Sequence, residues 1–155
     1  MHISLISVGT KMSSWIQEGV EEYRKRISGP LGFSLVEIPL PRRGKSASVS
    51  ECVKKEGEAI LAKIRQYDHV VALEVSGKRL STVDVAKRLK DFKAMGQDVI
   101  ILAGGPDGLH SACRDRANEQ WSLSDLTLPH PLVRVLLVEQ LYRANSLLQG
   151  HPYHR

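Results

Sequence analysis

Cysteine is nearly absent: Cys52 and Cys113 are the only two in 155 residues. They stand far apart and in no Cys-x-x-Cys spacing, which argues against a disulfide framework and against zinc and fits a reducing compartment. No apolar run approaches the roughly 20 residues a membrane span needs. The start, Met1-His2-Ile3-Ser4-Leu5, carries no basic stretch of the secretory kind. A cytoplasmic location with no membrane partner is therefore expected. Low-complexity tracts, internal repeats and linkers long enough to separate domains are also missing, so one domain over residues 1–155 is expected.

Two phosphate-binding motifs are missing as well. Gly44-Lys45-Ser46 is the end of a Walker motif, but Pro39 stands where its first glycine belongs, and Pro39-Leu40-Pro41-Arg42-Arg43 has no amide-rich turn to cradle phosphate. Gly104-Gly105-Pro106-Asp107-Gly108 departs from Gly-x-Gly-x-x-Gly, and its proline removes an amide. A small-molecule nucleotide enzyme of either kind is disfavoured. The double glycine has two readings: a tight turn, or backbone that lets a flat ligand approach.

What is present is a basic excess, 22 Lys and Arg against 17 Asp and Glu, for a formal charge of +5. This suits a polyanionic partner, and solvated helix faces explain it equally well. Position is more telling. Arg42, Arg43 and Lys45 share a loop where they are free to meet phosphates, whereas Arg24, Lys25 and Arg26 end a helix and offset its dipole.

Apolar strands alternate with amphipathic helices. Strands are expected at Ile3 to Val8, Phe33 to Ile38, Val70 to Val75 and Val99 to Ala103. The first helix opens with Ser14 and Gln17 at capping-box spacing, buries Ile16, Val20, Tyr23 and Ile27, and stops at Gly29-Pro30. Ser48 with Glu51 opens the second, with Val53, Ile60 and Ile64 inward. Ser76-Gly77-Lys78 turns the chain into a third, capped by Ser81 or Thr82, with Val85, Leu89 and Phe92 inward and Gly96 as its stop. A short helix around Ala112 to Ala117 and a final one from about Leu132 to Leu148 follow. Such alternation means α/β, a parallel sheet covered on both faces. Ligands of these sheets bind beyond the carboxyl ends of the strands, which places a site at the loops after Val75 and Ala103. The last helix has a broad apolar side, and a dimer interface would cover the excess.

Several motifs taken in order resemble one family. They are Val8-Gly9-Thr10-Lys11-Met12, Arg43-Gly44-Lys45, Ala103-Gly104-Gly105-Pro106-Asp107-Gly108-Leu109, Trp121-Ser122-Leu123-Ser124, Leu126-Thr127-Leu128-Pro129-His130-Pro131-Leu132-Val133-Arg134, Glu139-Gln140-Leu141-Tyr142-Arg143-Ala144 and His151-Pro152-Tyr153-His154. Together they resemble the RlmH family, SPOUT-class bacterial enzymes that methylate N3 of a pseudouridine in helix 69 of 23S rRNA. The resemblance implies a Rossmann-like parallel sheet with a C-terminal deep trefoil knot within about residues 100–155. It also implies a homodimer acting on 23S rRNA in the ribosome and S-adenosylmethionine as cofactor. Carried over by position, the cofactor contacts would be Leu73, Gly104, Leu123, Ser124, Asp125, Leu126, Thr127 and Leu128. Glu74, beside Leu73, is expected to pair with a cation rather than with ribose.

Methylation at N3 needs a proton removed and the nitrogen aimed at the methyl group; no metal is required. His130 is the first candidate, held between prolines and suited to proton transfer, although it could equally just shape the turn. Glu139, Arg143 and Ser146 form a polar stripe, which an i,i+4 salt bridge would explain and in which Arg143 could instead hold phosphate or base oxygens. The ending from His151 to Arg155 could be a frayed terminus, but aromatic, imidazole and guanidinium groups are also what stack on and bond a splayed base. His151 and His154 have metal-ligand spacing with nothing to complete a set. The candidate catalytic residues are His130, Arg143, Tyr153 and His154, and the candidate RNA contacts are Arg42, Arg43, Lys45 and Arg155. The C-terminal segment thus divides into a cofactor wall, a dimer helix and an RNA-facing tail.

Overall fold

The computed structural model describes residues 1–42 and 48–154, the side chain of His154 excepted. Five strands, β1 (His2–Val8), β2 (Gly32–Ile38), β3 (His69–Arg79), β4 (Val99–Ala103) and β5 (Glu119–Ser122), form one sheet in the order β2-β1-β4-β3-β5. Every adjacent pair is parallel. The helices are α1 (Ser14–Arg24), α2 (Val49–Leu61), α3 (Thr82–Met95), α4 (Ser111–Arg116) and α5 (His130–Leu148), and a single 3-10 turn spans Pro152–His154.

Alternation along the strands divides the core in two. Ile3, Leu5, Val71, Val99, Ile101 and Trp121 face one side with Leu89 and Phe92 of α3 and Leu137 and Leu141 of α5. Ile6, Val8, Val70, Ala72, Ile100 and Leu102 face the other with Ile60 of α2 and Cys113 of α4. The five residues of β4 are all buried, as befits a central parallel strand with both faces covered.

Helix starts follow local chemistry where the caps are present. Ser48 Oγ accepts from the Glu51 amide, and Ser81 forms a full capping box with Asp84. Gly96 closes α3 in the left-handed region at φ 66°, as expected of that stop.

The first helix differs from the reading of its sequence. Its N-cap is Ser13, which makes no side-chain cap, and Gln17 instead donates to the Met12 carbonyl at 2.7 Å. It ends at Arg24, short of Gly29-Pro30, where the Arg26 and Ile27 amides bond carbonyls three residues back rather than four, and Arg24, Lys25 and Arg26 pair with Glu21 and Glu22. Those cations are locally neutralised. In α2 the buried positions are Cys52, Glu56, Gly57 and Ile60, with Val53 only partly covered.

The largest departure lies in β3. Ser76-Gly77-Lys78 does not turn into a helix; the strand runs on to Arg79, and both Leu73 and Lys78 register with Trp121 of β5. Four residues, 74 to 77, are thus extra on β3 and bulge out. Gly77 permits this, since a Cβ there would lie 2.7 Å from the Trp121 carbonyl carbon. The strand β5 itself has too few residues to show a period, and it forms because β3 offers it an edge.

On the same edge His69 Nε2 and Glu119 Oε2 lie 2.6 Å apart, Arg88 grips both oxygens of Glu119, and Trp121 Nε1 donates to it at 3.2 Å. Burial pushes the Glu119 carboxyl up, but the bonds from Arg88, His69 and Trp121 outweigh it and the net direction is down. A depressed carboxyl stabilises the fold above its unfolded pKa and loses that contribution as pH falls through the folded one. Glu119→Gln should therefore lower the urea midpoint at pH 7 and flatten its decline below about pH 5, measured by denaturation across that range. An unchanged acid limb would contradict this.

Candidate active site

At the carboxyl ends of the strands lies a cavity of about 630 Å³. Its walls come from four places: Leu73, Glu74 and Val75 of β3; the loop after β4, from Ala103 to Pro106 with Gly108 and Leu109; Leu123, Ser124 and Leu126 to Leu128 after β5; and Pro129 to Pro131 with Val133 opening α5. The β3 bulge is what carries Glu74 and Val75 over it. The lining is mainly apolar with a few polar groups, and the volume is that of a cofactor pocket.

Of the residues expected at a cofactor, Leu73, Gly104, Leu123, Ser124, Leu126, Thr127 and Leu128 line this space. Asp125 does not; its carboxylate turns outward to Arg79 at 2.8 Å. The segment is shaped by its own bonds, with Ser122 Oγ donating to the Ser124 carbonyl and the Leu126 amide to Ser124 Oγ. Gly104 lines the cavity and is also packed against its own loop. A Cβ there would meet the Gly108 carbonyl carbon at 2.5 Å and the Leu109 nitrogen at 2.8 Å, so the glycine is required by the loop folding back on itself.

Among the described residues two titratable groups line the cavity. Glu74 pairs at 3.5 Å with Arg114, whose same nitrogen donates to the Leu109 carbonyl at 2.8 Å; Glu74 Oε1 is buried without a hydrogen bond. His130 starts α5, two residues before the expected onset, because Pro129 serves as N-cap and Pro131 fits the first turn. Its Nδ1 is buried and without a hydrogen bond. Burial, with Arg134 adding to it, pushes the imidazole below its usual range, so it is neutral at pH 7.

Arg143 and Tyr153 form a separate cluster near the other end of α5. Arg143 holds Glu139 at 2.6 Å, lies over the Tyr153 ring and donates to its carbonyl, and the Tyr153 hydroxyl reaches Glu139 at 3.3 Å. Burial first, and Glu139 next, hold the phenol above its ordinary range. Ser146 does not join this stripe: it is buried, and its hydroxyl donates to the Tyr142 carbonyl. The tail is therefore seated on α5, with the Tyr153 and Tyr142 rings 4.3 Å apart. Arg42 is exposed, while Arg43, Lys45, Arg155 and the His154 side chain lie outside the described residues.

Reading the sequence for this site missed Glu74 as a wall and Arg134 altogether. Arg134 is 1% exposed, and only its burial between distant carbonyls marks it. Nor does the broad apolar side of α5 need a second subunit to be covered, since α1 and α3 pack along it within the chain. Val135 sits on Gly19, and Gln140 accepts from Thr82. Among the described residues no helix is long and apolar enough to cross a membrane, and no cluster of three metal-ligating side chains occurs.

A parallel sheet with a strand-end cavity closed by a returning C-terminal segment defines the class, and a family model described as predicted SPOUT methyltransferase matches residues 1–154. Among solved structures, that of a probable methylase family protein from Haemophilus influenzae Rd KW20 superposes with a TM-score of 0.55 over 99% of this chain and 70% of that one, at 14% identity, a likeness of fold alone. The chain is 57% identical to the ribosomal RNA large subunit methyltransferase H of Hahella chejuensis, over all of this chain and 99% of that protein. It is 52% identical to the protein of the same name from Saccharophagus degradans over the full length of both. The chain belongs to the RlmH family of SPOUT methyltransferases.

Proposed function

We propose that this protein transfers a methyl group from S-adenosylmethionine to N3 of a pseudouridine in helix 69 of 23S rRNA, in the cytoplasm and on the assembled ribosome. The observation that carries the reading is the apolar strand-end cavity with the half-buried His130 imidazole on its wall, its Nδ1 buried without a hydrogen bond. The names of the two relatives, both ribosomal RNA large subunit methyltransferases, support RNA as the substrate. The residues present suit the cofactor: apolar walls for adenine, the backbone of Leu123 to Leu128 for its polar edge, and the Glu74 carboxylate as the one anion lining the space among the described residues.

When bound, S-adenosylmethionine supplies a methyl group on a positively charged sulfur. Leu73, Gly104, Leu123, Ser124, Leu126, Thr127 and Leu128 hold it, with Asp125 fixing that wall from outside through Arg79. His130, neutral at pH 7, accepts the imide proton. Arg143, Tyr153 and His154 serve the cavity of a second copy in a homodimer. Within one chain Arg143 is thirteen residues of α5 from His130 (143 − 130), roughly 20 Å at 1.5 Å per residue, too far to share a substrate atom. Arg42, Arg43, Lys45 and Arg155 meet RNA phosphates.

The same reading makes residues 1–155 one SPOUT domain with a deep trefoil knot within about 100–155. Its support is the path of the chain, which leaves β5 at the sheet edge and returns past β3 and β4 to set α5 against Gly9 after β1. Calorimetry with S-adenosylmethionine should give saturable binding. Ribosomes carrying the pseudouridine should accept a methyl group, found by mass spectrometry in the helix 69 fragment, and ribosomes carrying uridine there should not. A flat titration would sink the enzyme reading; methylation elsewhere would sink the substrate.

A further inference from the structure

The buried guanidinium of Arg134 has a place in the site that no cofactor or substrate contact accounts for. It lies one turn after His130 on α5 and is 1% exposed. Its Nη2 donates to the Gly9 carbonyl at 2.7 Å and the Val8 carbonyl at 3.3 Å, and its Nη1 to Glu37 Oε2 of β2 at 2.7 Å. Gly9, at φ 110°, is wedged between the two side chains: a Cβ there would lie 3.3 Å from His130 Cε1 and 3.5 Å from Arg134 Nη2. The Gly9 amide is itself tied to the Ile38 carbonyl at 2.6 Å. A burial of this depth is costly for a charge, and one carboxylate that is 39% exposed is a modest counterweight for stability alone.

We propose that Arg134 is a positioning residue for methyl transfer: it clamps the Val8-Gly9 backbone and Glu37 beneath the His130 ring, so that the loop after β1 and the imidazole meet the substrate as one rigid unit. The inference rests on the reading of His130 as part of the reaction site. Arg134 also adds to burial in disfavouring protonation of the imidazole, because it places a fixed cation one turn away. Among the described residues, charged groups near His130 other than Arg134 are Glu37, reached through Arg134, and Glu74 on the same cavity wall with its partner Arg114.

The test uses the full-length protein with Arg134→Met, Arg134→Lys and Glu37→Gln. In Arg134→Met, kcat should fall about 10²-fold while the KM for ribosomes and the dissociation constant for S-adenosylmethionine hold. Arg134→Lys should also lose kcat, since an ammonium cannot bridge two carbonyls and a carboxylate in that geometry. Proton NMR of the His130 ring in the unliganded protein should show its titration moving up in Arg134→Met. In Glu37→Gln, which leaves the guanidinium unbalanced, it should move down. The opposite shifts report the coupling of the guanidinium to His130, and a fall in kcat at unchanged KM and cofactor affinity is what a merely structural arginine would not produce.

Wild-type kcat in either Arg134 variant, or a His130 titration that neither Arg134→Met nor Glu37→Gln moves, overturns the proposal. Should Arg134→Met not fold, kcat in Arg134→Lys and the titration in Glu37→Gln decide it. If the wild-type protein neither binds S-adenosylmethionine nor methylates, the proposed function fails, and the NMR titrations still judge the coupling of Arg134 to His130.

Discussion

A chain ending at Gly150 should bind S-adenosylmethionine as the full-length protein does and methylate ribosomes about 10²- to 10⁴-fold more slowly. Among the described residues the cavity is lined by none later than Val133, so the truncation takes away none of those walls. What is lost is Tyr153, with its ring on Tyr142 and Arg143 and its hydroxyl on Glu139, together with His154 and Arg155. Those contacts lie on the outside of α5, and an aromatic pair is worth about 0.5–1.5 kcal/mol, too little to unfold the domain. Calorimetry and single-turnover methylation on the same preparation check both halves. Unimpaired methylation would return the tail to an ordinary frayed end, and loss of cofactor binding would show that the tail and the wall are not independent of each other.

Trp121→Ala should cost about 3–5 kcal/mol of stability, read as the fall in the urea midpoint, and should also weaken cofactor binding. Trp121 is 2% exposed, stacks on Phe92 at 6.1 Å between ring centroids and donates from Nε1 to Glu119. It is also the residue with which β3 registers twice, on either side of the bulge that carries Glu74 and Val75. Removing the indole leaves a cavity under the very strand from which Leu123 to Leu128 depart. Trp121→Phe, which keeps most of the volume and gives up one hydrogen bond, should cost only about 1 kcal/mol by that bond. A loss below about 1 kcal/mol in Trp121→Ala would mean the core closes around the gap.

Much of the site could be read from residue order because it depends on strand ends. The apolar runs Val70 to Ala72 and Val99 to Ala103 are buried on both faces, and such strands deliver their next residues to the ligand edge whatever the loops do. What could not be read were features that depend on partners far off in sequence. The β3 bulge exists because Trp121 accepts two registers, and a Ser-Gly-Lys triplet alone looks like a turn. That Gly104 also makes room for its own loop, against Gly108 and Leu109, shows only in the fold.

The sequence by itself determined the α/β class, the capped helices α2 and α3, the four longer strands and, through its motifs, the family. Those are set by periodicity, capping groups and ordered residues, all of which act over a few positions. Only the tertiary structure decided that α1 and α3 cover the apolar side of α5, that the bulge roofs the cavity, and that Arg134 reaches across to Val8, Gly9 and Glu37. Each of these joins groups tens of residues apart, and a buried arginine in Leu132-Val133-Arg134-Val135 has no local pattern to announce the carbonyls that will hold it.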